Sequence, residues 1–232
     1  MFKLKSQLIY ETSDLVAVNK PSGLISQPSV DKTRTNLYSL LLLEYKEIYP
    51  LHRLDKDTSG IILFAKNKFA ATRYGEIFKT HLFEKKYLCL SFGVKKNSEG
   101  SVENHLKEQE LNREGKKVRL FLPAQTGGDY AKTDYKILFS ENGYSLVEAQ
   151  PITGRTHQIR THLATTKLPI VGDRFYGPKE NSENLKYDQF YLHAHSLRIP
   201  SEQLNIKCLP DSQFQHLTKT LLPNLPPNWF QL

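Results

Sequence analysis

The sequence LHRLDKDTSGIILFA, residues 51–65, joins a polar segment directly to an apolar one. Charged and small polar residues dominate as far as Gly60, and an apolar, β-branched run begins at Ile61. This change of composition predicts a polar loop that leads into a buried strand. Catalytic groups often lie on loops that a rigid strand holds in place, which makes Asp55 a candidate reactive carboxylate. A solvated turn is the alternative interpretation of the same loop.

The segments on either side of this loop alternate between strand and helix patterns without a fixed order. The predicted strands are 15–18, 61–65, 86–92, 130–139, 144–149 and 190–199, and the predicted helices are 36–47, 67–80, 156–165 and one that Asp211 caps. The pair Asn142-Gly143 predicts a hairpin turn between two of these strands. Neighbouring strands with few helices between them favour α+β over strict βαβ alternation. We therefore predict an α+β fold with a mixed, mostly antiparallel central sheet and flanking helices.

The bulk composition restricts the class of protein. With 232 residues, 39% hydrophobic and 24% charged, the chain is globular and is long enough for one large domain or two small ones that share a cleft. Its apolar runs are shorter than the ~20 residues of a membrane helix. Polar residues also interrupt the basic start before a signal-peptide core forms. We therefore expect a cytoplasmic protein with no membrane partner.

The charge of the chain predicts a polyanionic partner. The formal net charge is +8, and Lys and Arg side chains bind phosphates with release of counterions. Basic residues are dense at 85–86, 95–96 and 113–119, and we interpret the charge-rich segment 100–126 as an extended basic arm. Cys89 and Cys208 have no near neighbour at metal-ligand spacing, so neither a zinc site nor a disulfide framework is expected.

Several sequence motifs, taken in their order along the chain, resemble motifs of the catalytic domain of RluA-type pseudouridine synthases. His52–Gly60 matches the family pattern His-Arg-Leu-Asp, two variable residues and Thr-Ser-Gly at every fixed position. Val18–Gly23 resembles the Lys-Pro-x-Gly segment, and Gly154–Ala164 followed by Pro169–Asp173 resembles a later stretch of the family. Lys86-Tyr87 and 192–197 add further matches, so the resemblance extends from about residue 14 to residue 200.

This resemblance implies an activity and a domain organisation. The implied reaction is the isomerisation of uridine to pseudouridine in tRNA and/or large-subunit rRNA, with no cofactor. The implied fold is pseudouridine synthase-like. We expect a single catalytic domain, residues 1–232 with a core of about 10–222, without a separate N-terminal RNA-binding module. A monomer is the default expectation for its oligomeric state.

The resemblance also assigns catalytic roles. Breaking a glycosidic bond builds positive charge on the sugar, and Asp55 is the carboxylate that would stabilise or capture that charge. Asp57 has the same chemistry, but the family pattern leaves its position variable, and we expect a turn or capping role. Arg160 would hold the Asp55 carboxylate once it is buried, with a phosphate contact as the alternative. Tyr87 would lie against the uracil and take the late proton, with an ordinary strand aromatic as the alternative.

Five further residues are predicted to bind the substrate or support the loop. Arg53 would fill the gap that the flipped uridine leaves in the RNA stack. Leu163 would pack on the flipped base, unless it is a core leucine. His52 is expected to support the loop rather than to transfer protons. Arg155 and Lys20 are expected to contact the RNA backbone, with solvated surface as the alternative.

Two other functions stay open from the sequence alone. A non-catalytic RNA-binding or RNA-folding protein would share the basic charge, but it would not need Asp55, Tyr87 and Arg160. A glycosidase-like hydrolase would use Asp55 and Asp57 as its two carboxylates. A metal site at the histidines is not expected, because no carboxylate or cysteine completes a ligand set with His157, His162, His193 and His195.

Overall fold

The computed structural model describes residues 4–29, 31, 33–95, 98–113, 116–178 and 189–229. The chain forms two compact units. The first unit comprises Met1–Tyr87 and Leu192–Pro210, and the second comprises Leu88–Tyr191 and Asp211–Leu232.

Up to residue 92 the elements are α1 (Leu4–Gln7), β1 (Leu8–Glu11), β2 (Leu15–Lys20), α2 (Leu37–Leu41), β3 (Tyr49–Pro50), β4 (Ser59–Ala65), α3 (Lys68–Lys79) and β5 (Glu84–Phe92). They are followed by β6 (Glu99–Arg113), β7 (Lys116–Ala124), β8 (Asp129–Glu141), β9 (Tyr144–Pro151), α4 (Gln158–Thr165), β10 (Leu192–Ile199), β11 (Leu204–Lys207) and α5 (Ser212–Leu221). The chain passes from the first unit into the second within β5.

The first unit is built around β4, whose seven residues are all buried. This strand pairs antiparallel with β2 and β3 and parallel with β10, and β1 and β11 extend the sheet beyond β2 and β10. The apolar run that follows Gly60 is therefore an interior strand, as predicted. Asn67 caps α3, its side chain accepting the Ala70 N–H at 2.8 Å. Ala70 and Tyr74 pack from this helix into the core beside β4.

The second unit contains the antiparallel strands β9, β8, β6 and β7 in that order. The predicted hairpin is confirmed: β8 and β9 are joined by Asn142 and Gly143, whose φ angles of 51° and 81° are those of a left-handed turn. Asp211 caps α5 as expected, its carboxylate accepting the Phe214 N–H at 2.8 Å. The mixed sheet with few helices confirms the α+β prediction.

Two local predictions were wrong. The segment 100–126 is mostly a paired hairpin of β6 and β7 rather than a separate basic arm. Its Lys117 and Arg119 form ion pairs with Glu110 at 2.8 Å and Glu108 at 3.4 Å, so much of its positive charge is balanced across the strands. The helix predicted over 36–47 ends at Leu41, and the next two leucines are exposed, so a second turn would have no apolar face to bury.

Gly60 lies where β4 pairs with β10, opposite Ala194. Its φ is +106°, and an added Cβ would lie 2.3 Å from the Ala194 carbonyl oxygen. We expect Gly60→Ala to lower the free energy of unfolding by at least about 1–3 kcal/mol, through backbone strain and displacement of β10. Gly75→Ala is the matched control, since it lies in α3 with open space and should stabilise by about 0.5–1 kcal/mol. Urea unfolding of both variants measures the difference, and equal stabilities would contradict this role of Gly60.

Candidate active site

Residues 51–58 form an irregular loop between β3 and β4, which we term the Asp55 loop. Its backbone is held on both sides of Asp55. The buried Ser26 hydroxyl donates to the Leu54 carbonyl at 2.7 Å and accepts the Leu54 N–H at 3.1 Å. The Lys56 carbonyl accepts the Gly23 N–H at 3.0 Å and the Lys20 ammonium at 2.9 Å. These bonds leave the backbone at Asp55 little freedom to move.

Lys20 corrects a prediction from the sequence. We expected it to contact the RNA backbone, but the residue is 0% exposed. Its Nζ donates to three carbonyl oxygens, those of Pro21 at 3.0 Å, Leu24 at 2.7 Å and Lys56 at 2.9 Å. Burial lowers the pKa of Lys20 to about 7, while the carboxylates of Asp57 and Asp55 oppose that shift. Lys20 therefore fastens the turn after β2 to the Asp55 loop and is not available to a phosphate.

His52 attaches the start of the loop to β4. Its Nε2 accepts the Leu63 N–H at 3.0 Å, so the ring acts as an acceptor there. The imidazole also stacks on the Phe78 ring, with centroids 5.1 Å apart and planes within 8°. Burial, with a further contribution from the positive charge of Lys85, lowers the pKa of His52 to about 3. The imidazole is therefore neutral at physiological pH, and its contacts hold the loop in place.

The four charged side chains that follow His52 in the loop differ in exposure. Asp55 is half-buried, whereas Arg53, Lys56 and Asp57 are exposed. The Asp57 backbone carbonyl accepts the Ser22 hydroxyl at 2.7 Å, which adds another tie to the turn after β2. Among these residues, Asp55 is the one that is partly shielded from water.

The end of the loop is attached to β10 through buried polar groups. Ser59 Oγ lies 2.9 Å from His193 Nδ1, and His193 Nε2 lies 3.2 Å from the Cys208 carbonyl oxygen. Because a carbonyl only accepts, Nε2 carries the proton and Nδ1 accepts from the Ser59 hydroxyl. Ser59 and His193 lie in two of the motifs that carry the family resemblance, and no role was predicted for either of them. Their contact explains why a serine precedes the glycine of this loop.

Tyr87 lies on β5 as the last residue of the first unit, and it is buried. The first unit thus carries Asp55, Tyr87, Arg53, His52 and Lys20. The second unit carries the other predicted site residues, Arg160, Leu163 and Arg155.

Arg160 lies on α4 and makes a bidentate ion pair with Asp173. Its Nε donates to Oδ2 at 2.8 Å and its Nη2 to Oδ1 at 2.9 Å, and the Asp173 side chain is 0% exposed. The guanidinium also lies near the rings of three aromatic residues at 4.9–5.8 Å, Phe175, Tyr176 and Phe190. These contacts hold the guanidinium in one orientation.

Asp173 is a site residue to which sequence reasoning gave no role, although the motif that ends at Asp173 was part of the resemblance. Burial raises the pKa of the Asp173 carboxyl. The Arg160 guanidinium and the N–H groups of Phe175 and Tyr176 together lower that pKa by more, so the net shift is downward. Oδ1 accepts those two N–H groups at 2.9 and 3.1 Å. The carboxylate is therefore an ionised anchor for Arg160.

Leu163 and Arg155 occupy different environments. Leu163 is 0% exposed, which matches the core-leucine alternative for the structure as it stands. Arg155 is exposed, and its Nε donates to the Tyr130 carbonyl at 3.0 Å. Gln158 orders this region, because its amide accepts the Arg155 N–H at 3.0 Å and donates to the Lys132 carbonyl at 2.8 Å.

The histidines considered for a metal make hydrogen bonds within the protein instead. His157 Nδ1 lies 2.9 Å from the Tyr176 hydroxyl. His162 Nδ1 lies 2.9 Å from Thr133 Oγ1, and burial lowers the pKa of His162 to about 4. His195 Nδ1 lies 2.7 Å from the Cys208 carbonyl oxygen, the same oxygen that His193 contacts.

The family model described as RNA pseudouridylate synthase matches residues 14–165, a span that includes the whole Asp55 loop and Arg160. The chain belongs to the RNA pseudouridylate synthase family. Among curated relatives, the ribosomal large subunit pseudouridine synthase D of Borreliella burgdorferi is 34% identical over 203 residues, which cover 83% of this chain and 60% of the relative. The dual-specificity RNA pseudouridine synthase RluA of Vibrio cholerae is 37% identical over 191 residues, which cover 82% of this chain and 75% of the relative.

Solved structures of the family have the same fold. The structure titled human RNA pseudouridylate synthase domain containing 4 superposes with a TM-score of 0.76 at 28% identity and covers 94% of both chains. A second human member, domain containing 1, gives a TM-score of 0.71 at 28% identity and covers 88% of this chain and 83% of its own. The pseudouridine synthase-like fold implied by the motifs is thereby confirmed.

Replacing Lys20 tests its hold on the Asp55 loop. Lys20→Met keeps the length of the side chain but removes the donor to the carbonyl oxygens of Pro21, Leu24 and Lys56, of which, within the described residues, only the last keeps another donor, the Gly23 N–H. We expect the free energy of unfolding to fall by roughly 2–4 kcal/mol. Lys68→Met removes an exposed lysine and should change stability by less than about 0.5 kcal/mol. Urea unfolding at pH 7 measures both variants. A Lys20→Met variant as stable as Lys68→Met would show that the ammonium does not hold the loop.

Replacing Arg160 tests the buried ion pair. Arg160→Met leaves the buried Asp173 carboxylate without its cation, and we expect the free energy of unfolding to fall by about 3–5 kcal/mol at pH 7. Because the native pKa of Asp173 lies below the unfolded value of about 3.9, the contribution of the pair is complete above that pH and is lost as the pH falls through the native pKa. The difference from wild type should therefore narrow in acid.

Arg198→Met is the matched control for Arg160→Met. It breaks an exposed ion pair with Glu84 and should cost less than about 1 kcal/mol. Urea unfolding at pH 7 and at about pH 3, below the unfolded pKa of an Asp side chain, measures both variants. If Arg160→Met lowered the free energy of unfolding no more than Arg198→Met does, the role of Asp173 as an anchor for Arg160 would be contradicted.

Proposed function

We propose that this chain isomerises uridine to pseudouridine in RNA, with tRNA and/or large-subunit rRNA as its substrates. The observation that carries the proposal is Asp55: a half-buried carboxylate, within a loop held by hydrogen bonds to the backbone on both of its sides. The names of the family and of its relatives support the reaction class. The chain spans 60% of the length of the Borreliella burgdorferi relative and 66% of the length of another relative, the ribosomal large subunit pseudouridine synthase C of Rickettsia felis.

The proposed reaction rearranges bonds without a net change of atoms. The C1′–N1 glycosidic bond breaks, the uracil rotates and a C1′–C5 bond forms. C5 loses its proton and N1 gains one, so neither an oxidant nor a cofactor is needed. The steps that need help from the protein are extrusion of the base, stabilisation of charge during bond cleavage, and removal of the C5 proton.

Asp55 carries the cleavage step in this proposal. A carboxylate beside C1′ or beside the base stabilises or captures the electrophile formed when the bond breaks. By the family resemblance Arg160 supplies a guanidinium to the reaction, and Asp173 orients that guanidinium through two hydrogen bonds. Tyr87 lies against the uracil and takes the proton from C5.

Arg53 binds the RNA around the flipped nucleotide. Its side chain is exposed, as a group that fills the space vacated by a base must be. Arg155, which is exposed beside α4, contacts the RNA backbone. Unstacking a uridine costs a few kcal/mol, so these contacts favour RNA loops, in which bases are already easy to splay out.

The remaining proposals concern partners and location. The net charge of +8 suits a polyanionic partner. No helix in the part of the chain that the structure describes is long and apolar enough to span a bilayer. A monomer in the cytoplasm is the arrangement that we propose.

Isomerisation is tested by tritium release from C5-labelled uridine in bulk tRNA and in transcripts of large-subunit rRNA. Wild-type protein should release tritium, whereas Asp55→Asn should release none above background while still binding RNA, because it keeps the shape of the side chain without its charge. Asp57→Asn, the matched control, should stay within about twofold of wild type, since removal of an exposed carboxylate outside the reaction has a small effect. Equal activity of both variants would remove Asp55 from the mechanism.

The same assay separates the two other functions. Release of free uracil from the RNA would indicate a glycosidase-like hydrolase. Tight binding of both RNAs by folded protein with no tritium release would favour a non-catalytic RNA-binding protein.

A further inference from the structure

A stack of rings leads from the Asp55 loop to a lysine that the proposed mechanism does not use. His52 stacks on Phe78 with centroids 5.1 Å apart, and Phe78 stacks on Phe83 with centroids 4.4 Å apart. The Lys85 ammonium lies 4.9 Å from the centroid of the Phe83 ring. All four residues belong to the first unit. The stack places the Lys85 charge at a defined position relative to the loop.

The charge of Lys85 acts on the Asp55 loop. Burial is the main cause of the lowered pKa of His52, and the positive charge of Lys85 is the second cause. An interaction of this kind requires the ammonium to lie near the imidazole, because screening by water removes Coulombic effects over longer distances. Lys85 is therefore a cation close to the loop that carries Asp55.

Lys85 also lies on the side of β5 that Tyr87 occupies. Residues two apart on a strand project to the same face, and the two are separated by Lys86 alone. Phe83, two residues before Lys85, packs against the core of the first unit through Phe78. Lys85 thus lies along the chain between Phe83, which packs against the core, and Tyr87, which we propose faces the uracil.

Lys85 has no carboxylate to neutralise it in the part of the chain that the structure describes. Burial lowers its pKa to about 8, and the side chain nevertheless keeps some exposure. A partly desolvated ammonium without an anion gains little for the folded state, and replacing it with an apolar side chain should cost little stability. A residue that folding does not need is a candidate for binding an anion from outside.

We propose that Lys85 binds a phosphate of the RNA backbone beside the target uridine. This inference rests on the proposed function and adds a substrate contact to it. A phosphate oxygen supplies the anion that the site lacks, and the compact ammonium suits it as a point charge. The aromatic stack fixes where the phosphate can lie, so the contact positions the nucleotide relative to Asp55.

The test compares three variants in RNA binding and in turnover. Lys85→Met removes the charge, Lys85→Arg keeps it, and Lys219→Met removes an exposed lysine from α5 as a control for net charge. The dissociation constant for bulk tRNA is measured between 50 and 300 mM KCl. Thermal unfolding is recorded for each protein to separate binding from stability.

We expect Lys85→Met to weaken binding roughly fivefold at the lowest salt and to reduce the slope of log Kd against log salt by about 0.9, the value for one phosphate. Tritium release should show a raised KM, with the melting temperature unchanged or higher. Lys85→Arg and Lys219→Met should keep the wild-type slope.

An unchanged salt slope for Lys85→Met, with the wild-type enzyme active, would overturn the phosphate contact. A lower melting temperature with an unchanged slope would assign Lys85 a structural role instead. Absence of tritium release from wild type on any RNA would refute the proposed function itself, and the salt slopes would still report on the contact. The two failures are therefore distinguishable.

Discussion

The Asp55 loop depends on hydrogen bonds from buried side chains to its backbone. Ser26 satisfies both the N–H and the carbonyl of Leu54, and Lys20 with Gly23 satisfies the carbonyl of Lys56. A loop without regular structure would otherwise lose its backbone partners when it is shielded from water. Because these donors come from the turn after β2, the motif around Lys20 and the motif around Asp55 form one structural unit. The position of Asp55, the proposed catalytic carboxylate, thus depends on two segments of the chain.

Much of this arrangement follows from patterns that a single sequence displays. The buried strand β4, the Asn67 cap, the Asn142-Gly143 hairpin and the Asp211 cap depend on local chemistry, and they were predicted from it. The β6–β7 hairpin was not, because its charged side chains pair across the strands and leave no simple apolar alternation. The short α2 was also missed, since leucines at helical spacing do not reveal whether a core exists for them to contact.

The site residues divide in the same way. The candidate residues followed from motifs, but the burial of Lys20 depends in part on the carbonyl of Lys56, 36 positions away, which no local pattern encodes. Lys20 was therefore assigned to the surface although it lies in the interior. Asp173 was overlooked for a related reason, because its importance comes from a salt bridge to a residue 13 positions earlier in the chain. Long-range polar contacts are the part of this site that only the structure supplies.

The bond between Ser59 and His193 joins residues that are 134 positions apart. β2 and β3, which pair with β4, are both synthesised before it, but the Ser59–Gly60 end of β4 also pairs with β10. During synthesis on the ribosome, this end of β4 stays without its β10 partner until residues 192–199 have emerged. The Asp55 loop therefore reaches its final geometry only after a segment 134 residues further along the chain has been made.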